Sequence, residues 1–347
     1  VSDSPVLLLT GASGVVGSAL LSHLADSGPV VALTHHKPTA GPTRRGDITR
    51  PWLGLTPTDY RELAATIDVV IHCAALVNFG SAPRNLHRVN VRGVGHVLRF
   101  VEDADARLVH CSTAFISRIR PDATLNAYAE SKQAGETLVR ESGLPATIAR
   151  ISTVIGDTRT GAVARLQAFH YLVGLAMWGH LPFLPCTPAT RIDLLPTDVI
   201  AAALAALARN PAARDDYWIT AGPAALPMQH VVDVGSKTAL TMLGERAPRD
   251  LGIDLRQLRP RLVDPGLYHD VISSVLTAGT DPDTSPSALR HIPGLMAPYN
   301  NAPPFPTSLG DIPGGPPPLT ENHADQALRA TCRYLATMPK DTWKMSW

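Results

Sequence analysis

Short apolar runs and longer amphipathic stretches alternate along the first half of the chain. Residues 6–10 form an apolar run ending on a glycine cluster, and a helical pattern follows over 14–26. Further apolar runs lie at 30–34, 69–73, 107–112 and 146–151, with helical patterns over 85–102 and 127–141. Runs of strand length without polar interruption are typical of parallel strands covered on both faces. Their alternation with helices predicts βαβ units. The fold class expected is α/β, with residues 1–160 forming a doubly wound parallel sheet of the Rossmann type.

The rhythm changes after Gly156. Residues 161–190 read as a long helix-like stretch followed by Pro-broken chain, and 166–190 carry no Asp, Glu, Lys or Arg. Gly174, Gly179, Pro182, Pro185 and Pro188 interrupt that stretch, so it falls short of the ~20 apolar residues of a membrane span and reads as a buried or pocket-lining helix. Thr197 is placed to cap a helix through Arg209, which Asn210-Pro211 would stop. A strand is expected at 217–220, a helix at 227–243 and a last helix at 321–338. Residues 300–318 are too rich in Pro and Gly for a regular element. The expected second part, 161–347, is smaller, mostly helical and substrate-binding, with the chain returning to the first domain at about 189–222. Within it, 169–183 is expected to line an apolar substrate and 302–318 to fold over it as a lid.

Composition narrows the function. The 347 residues carry 31 basic and 30 acidic side chains and are 45% hydrophobic, which excludes a disordered chain and gives no global basic excess for nucleic acid. The four cysteines, at 73, 111, 186 and 332, form no CxxC pair, so a zinc or thioredoxin-type site is not expected. They read as reduced thiols, with Cys73 and Cys111 acting as small hydrophobes in strands. The first residues show no secretion signal, and a cytoplasmic protein without a membrane span is expected.

The first strand leads into Thr10-Gly11-Ala12-Ser13-Gly14-Val15-Val16-Gly17. Glycines at such a strand-to-helix junction permit a tight turn and a close backbone approach to pyrophosphate, which then faces the helix N-terminus. Tyr128 and Lys132 stand four apart on an expected helix and so share a face. An ammonium beside a phenol favours phenolate and would make Tyr128 a usable acid/base near neutrality. The plain alternative is an ordinary exposed pair, but the chain holds only five lysines, at 37, 132, 237, 340 and 344.

Five motifs fall in an order that resembles the extended short-chain dehydrogenase/reductase superfamily: the Gly-x-x-Gly-x-x-Gly turn, His72-Cys73-Ala74-Ala75, Asn90-Val91-Arg92-Gly93, Ser112-Thr113, and Tyr128 with Lys132. The resemblance covers about residues 5–220. It implies that Tyr128 protonates a substrate oxygen, that Lys132 also holds the nicotinamide ribose, and that Asn90 orders a relay water. Ser112 and Thr113 are both candidates for the carbonyl-polarising hydroxyl, and the superfamily's register favours Thr113. The implied cofactor site comprises Thr10, Gly11, Ser13, Gly14, Val15 and Gly17 of the turn, then Asp47 and Ile48 beside adenine. Ala74, Ala75, Leu76, Lys132, Ile151 and Thr153 complete it. An NAD-preferring site would carry an acid just after the second strand. Here that place reads His35-His36-Lys37, which suits a 2′-phosphate, so NADPH is expected.

Within the superfamily, residues 72–79, the Ser112-Thr113-Ala114 run and residues 191–199 look like thioester reductases and fatty acyl reductases, the male-sterility-like branch. In that last segment Asp193 and Asp198 are expected to fix the interdomain corner. Arg150-Ile151 in place of Arg-Pro, and a short interval from Thr113 to Tyr128, depart from that branch. The implied activity is NADPH-dependent reduction of a carbonyl, foremost an acyl thioester on CoA or a carrier protein, to aldehyde or alcohol in a biosynthetic pathway. The same machinery serves a ketone, sugar or sterol-type dehydrogenase or an epimerase. A non-catalytic NAD(P)-sensing regulator is the alternative of a different class.

Overall fold

The computed structural model describes residues 4–25, 27–37, 39, 41–77, 80–120, 126–213, 216–242, 259–272, 287–339 and 342. Asp26 and Leu243, at the ends of two expected helices, lie outside the described residues. So do Asn78, Phe79 and residues 121–125, on which part of the branch assignment rested.

The strands of the first domain are β1 (Leu7–Thr10), β2 (Val30–Thr34), β3 (Thr43–Arg45), β4 (Val69–His72), β5 (Arg107–Thr113) and β6 (Ala146–Ile151). Shorter strands follow: β7 (Thr153–Ile155), β8 (Phe183–Pro185), β9 (Arg191–Ile192), β10 (Leu194–Pro196), β11 (Asp216–Ile219), β12 (Leu226–Pro227) and β13 (Arg261–Val263). The main sheet has seven parallel strands in the order β3-β2-β1-β4-β5-β6-β11. The expected Rossmann-type sheet is therefore present, and its order reverses between β1 and β4, where such sheets bind ligands.

Strand alternation explains why both faces are apolar. Leu8, Val70, Leu108 and Ile148 face one side, and Leu7, Leu9, Val69, Ile71, Val109 and Ala149 the other. The first set packs with Tyr60 and Leu63 of α2 (Pro57–Ala64), Val97 and Phe100 of α4 (Gly93–Asp103), and Val139 of α5 (Asn126–Glu141). The second packs with Leu20 and Leu24 of α1 (Val15–Leu24) and Ile200 and Leu204 of α7 (Thr197–Arg209).

Several expected elements change in detail. The single helix over 85–102 is three pieces: α3 (Pro83–His87), a π-turn at Arg88–Arg92, and α4. Pro83 supplies the start at a position where its missing N–H costs nothing. The helix α2 was not anticipated; Thr56 caps it by accepting from Asp59 N at 3.1 Å, with Pro57 as its first residue. Of the long helix-like stretch after 161, only α6 (Ala168–Met177) is helical. Gly179, at φ 73°, turns the chain out, and β8 with its Pro185 follows. Thr197 is not a cap, because the backbone is already helical there and Pro196 precedes the first turn.

A second core gathers α6, α8 (Met228–Met242), the helix Ser287–Met296 and the last helix, Glu321–Ala336. Phe169, Val173, Leu175 and Met177 are buried in it. The void between α6 and α8 is only about 20 Å³, so the segment expected to line a substrate is packed core on that side. The expected corner is visible: Asp193 accepts from Ser152 Oγ, Ala221 N (2.8 Å) and Gly222 N (2.9 Å), and Asp198 from Thr158 N and Oγ1, both at 3.0 Å.

Residues 298–309 form a strap pinned to the end of the sheet. Ser308 N donates to Trp218 O (2.8 Å), Trp218 N to Ser308 Oγ (3.1 Å), and Thr307 Oγ1 to Thr220 O (2.9 Å). Arg118 donates to Pro298 O and Pro303 O, and its guanidinium carbon lies 3.4 Å from the Phe305 ring centroid. Arg120 holds Asn300 O at 3.1 Å. The segment expected to be a lid thus begins as a fixed strap, and its 302–318 stretch includes one short helical turn, Leu309–Asp311.

Candidate active site

The glycine turn leaves β1 at its carboxyl end and opens α1, with Gly14 N donating to Gly11 O at 2.9 Å. Gly11 sits at φ 74°, where L side chains are strained, and a Cβ there would lie 2.5 Å from Ala74 N. A Cβ on Gly17 would lie 2.1 Å from Gly11 O. Main chain from the two sides of the sheet's switch point therefore meets without side chains between. The first turn of α1 carries no acid, so its N–H groups and dipole present a cradle suited to pyrophosphate. Val15 is buried, whereas Ser13 is exposed at the turn. Thr10 is buried under it; its Oγ1 accepts from Ala74 N at 3.3 Å and pairs with His72 Nδ1 at 2.7 Å.

At the end of β2, His35, His36 and Lys37 are exposed, the two imidazoles with ring centroids 3.6 Å apart. Arg45 on β3 is register partner to Thr34, so a further cation stands beside this group. Asp47 is engaged by Thr49 N (2.9 Å) and Thr49 Oγ1 (2.8 Å). Partial burial pushes its carboxyl up, but Thr49, His35 and Arg50 together hold it below the usual range. Ile48 is buried in the first core, against the backbone of Gly93.

The strip Ala74-Ala75-Leu76 continues β4 past the turn and is fixed by Asn90. Asn90 Oδ1 accepts from Leu76 N at 2.8 Å, while Nδ2 donates to Leu76 O at 3.0 Å and to Ser131 Oγ at 2.9 Å. The side chain expected to order a relay water is thus bonded to Leu76 and Ser131. Its place on the π-turn also gives it a positioning part.

Thr113, Tyr128 and Lys132 come together where β5 ends. The helix α5 brings Tyr128 and Lys132 to the sheet, and the Tyr128 and Thr113 side chains are hydrogen-bonded. Lys132, 2% exposed, donates from Nζ to Cys111 O at 2.7 Å. The expectation that Lys132 would lower the Tyr128 phenol is not met in this arrangement. Burial pushes the phenol up, the Thr113 bond pulls it back, and the ammonium is directed at a main-chain carbonyl. Burial also brings Lys132 down to about 8. Ser112 is buried on the opposite face of β5, and its Oγ has no partner among the described residues. Ile151 is buried at the end of β6, and the Thr153 hydroxyl pairs with Tyr299 OH.

Two groupings of side chains at this site were not anticipated from the sequence, although His72, Cys73 and Cys111 were each named there. His-Cys occurs at 72–73 and again at 110–111, on adjacent strands in register. Alternation sends the histidines to one face, with rings stacked 5.4 Å apart, and the thiols to the other. Burial holds His72 near 3 and His110 well below its usual value, so both are neutral. The other group is Arg118 and Arg120, which line a cavity of about 330 Å³ with Ser117, Asn301 and Pro303–Pro306. Asn126, the first residue of α5, bonds the Arg120 main chain, so the cavity adjoins the helix that carries Tyr128. Arginines directly after a strand-end Ser-Thr-Ala were the available signal.

A family model described as male sterility protein matches residues 42–125 and 118–204. Glycine betaine reductase ATRR of Emericella nidulans is 26% identical over 272 residues, which are 64% of this chain and 21% of that protein. Carboxylic acid reductase of Mycobacterium marinum is 29% identical over 186 residues, 44% of this chain and 15% of that protein. The chain thus spans about a fifth or less of these curated relatives. Among solved structures, the terminal R domain of the myxalamid PKS-NRPS biosynthetic pathway superposes with TM-score 0.69 at 22% identity, covering 94% of this chain and 90% of that one. The chain resembles the thioester reductase, male-sterility-like branch of the extended short-chain dehydrogenase/reductase superfamily, and its first part is an NAD(P)-binding domain.

Proposed function

We propose that the chain is an NADPH-dependent reductase that acts on an acyl thioester, carried by CoA or a carrier protein, in a biosynthetic pathway. The observation that carries this reading is the meeting of Thr113, Tyr128 and Lys132 beside the Gly11–Gly17 cradle, at the switch point of the sheet. The names of the relatives support the thioester: a carboxylic acid reductase and a PKS-NRPS terminal R domain share its sequence pattern or its fold.

The residues present fit the cofactor. The cradle would receive the pyrophosphate, Ala74 to Leu76 the adjacent face, and Lys132 the nicotinamide ribose. His35, His36, Lys37 and Arg45 would surround a 2′-phosphate, with Asp47 the acid nearest them, 3.6 Å from His35 and already engaged by Thr49. When bound, the reduced nicotinamide supplies a hydride to the substrate carbonyl. Thr113 and Tyr128 donate hydrogen bonds to the carbonyl oxygen, and Tyr128 gives it a proton. The phenol, buried and held high, stays protonated until that demand arises. Lys132 would orient the ribose from its place on the Cys111 carbonyl. The substrate enters through the cavity lined by Arg118 and Arg120, with the 298–309 strap as its outer wall.

The test is NADPH oxidation against acyl-CoA, carrier-protein thioester, aldehyde and ketone substrates. Turnover of thioesters is expected. Activity confined to ketones would overturn the thioester assignment, and tightly retained NAD+ with no net oxidation would point to an epimerase.

A further inference from the structure

Beneath Lys132 lies a thiol pair that the proposed chemistry does not use. Cys73 follows β4, Cys111 lies in β5, and the register His72↔His110 places the two cysteines side by side. Their sulfurs are 3.2 Å apart, closer than ordinary sulfur–sulfur packing. Both thiols are free; Cys73 is half-buried and Cys111 is 8% exposed. Cys186 and Cys332 are both fully buried, and burial pushes each thiol up to about 12.

We infer that Cys73 and Cys111 are a site of reversible oxidation, forming an intrachain disulfide under peroxide that switches the enzyme off. The Cys73 thiolate attacks peroxide: an S–O bond forms, the O–O bond breaks, and the departing hydroxide takes up the thiol proton as water. Cys111 sulfur then attacks the Cys73 sulfenic acid, an S–S bond forms, and a second water leaves. Two thiols are oxidised by two electrons and one peroxide is reduced. Cys73 goes first because it is the more exposed, although its bond to Cys111 and burial hold its thiol well above the usual value and the nearby Lys132 ammonium offsets this only in part. The raised thiol slows this first step.

A bonded S–S distance is about 2.05 Å, so the two strand ends must draw together. The Cys111 carbonyl that moves is the one holding Lys132 Nζ at 2.7 Å. Oxidation therefore shifts the ammonium from the position that the Cys111 carbonyl gives it. The loss of turnover rests on the proposed reductase reading; the covalent change does not.

The experiment treats the full chain with hydrogen peroxide, then counts alkylatable thiols, weighs the intact protein and maps cross-linked peptides. The expected result is two thiols lost, a mass lower by about 2 Da, a Cys73–Cys111 linkage, and loss of NADPH oxidation that dithiothreitol restores. Cys73→Ala should keep its turnover and keep it through the same peroxide dose. A single cysteine gaining oxygen without a linkage, a linkage to Cys186 or Cys332, or four surviving thiols would overturn the site. If Cys73→Ala does not fold, Cys111→Ala with the wild-type peptide map decides the matter. A correct linkage in a protein that oxidises no NADPH would sink the reductase reading and leave the thiol site standing.

Discussion

Asn90 closes both backbone hydrogen-bonding groups of Leu76, accepting from its N–H at 2.8 Å and donating to its carbonyl at 3.0 Å. One buried amide thus sets the path of the strip beside the glycine turn. Asn90→Ala should lower stability by roughly 2–3 kcal/mol, since a buried or half-buried polar group left unpaired costs ~1–3 kcal/mol. Denaturant unfolding measures that loss, and calorimetry should show weaker NADPH binding in the same variant. Unchanged stability would show that the strip is held by other contacts.

Lys132 carries its charge at a cost. Burial lowers its ammonium from an ordinary 10.5 to about 8. Between those pH values the unfolded chain binds the proton that the folded chain has released. Wild-type stability should therefore rise with pH across that window. Lys132→Met removes the charge and the bond to Cys111, and at pH 7 should stabilise the unliganded protein by about 2 kcal/mol. The gain should shrink above pH 8 and vanish above 10.5. The same variant should lose turnover, and wild-type kcat/KM should fall as pH passes about 8.

Lys37 stands exposed after β2 with no acid in the adjoining His35-His36 sequence. Lys37→Glu should weaken NADPH about ten- to hundredfold and spare NADH, because a charge-assisted phosphate contact contributes roughly 1.5–3 kcal/mol. Arg45→Glu should act in the same direction. Equal NADPH Kd for wild type and both variants would remove the 2′-phosphate assignment.

Arg118 ties the strap by two carbonyl bonds and by its stacking on Phe305. Arg118→Met should raise substrate KM by roughly threefold to tenfold while leaving cofactor Kd alone, the loss being that of one cation–π contact and one or two hydrogen bonds. A change in cofactor Kd with KM constant would place the strap's role on the nucleotide side.

The central sheet was legible because parallel, doubly covered strands are apolar without interruption: β2 and β6 have the bounds their sequence pattern sets. The Tyr128/Lys132 spacing was legible because four residues bring two side chains to one helix face. The missed helix α2 has few apolar residues, and its signal was the Thr56 cap with Pro57 after it. The path of 298–309 could not be read, since Arg118 finds Pro298 and Pro303 some 180 residues away in sequence. The direction of Lys132 was equally hidden: its acceptor is a carbonyl, which every residue has. Arg150, the half of the Arg-Pro pattern that this chain keeps, shows its part only in three dimensions. It makes a bidentate pair with the buried Glu136 and reaches Asp216 on the edge strand.

The strap has a second consequence, for the sheet as a polymerisable object. A parallel sheet of seven strands ends in two edges, each a row of main-chain groups able to recruit a foreign strand. At one edge, β3 is three residues long and shows two exposed arginines, so a second molecule would meet like charge. At the other, β11 carries the aromatic pair Tyr217-Trp218 and would be adhesive if bare. Ser308 takes both the N–H and the carbonyl of Trp218, which closes that edge from within the chain. The strap that walls the proposed substrate cavity with residues 301–306 thus covers this edge with its next two residues, and shortening it should trade specificity against self-association.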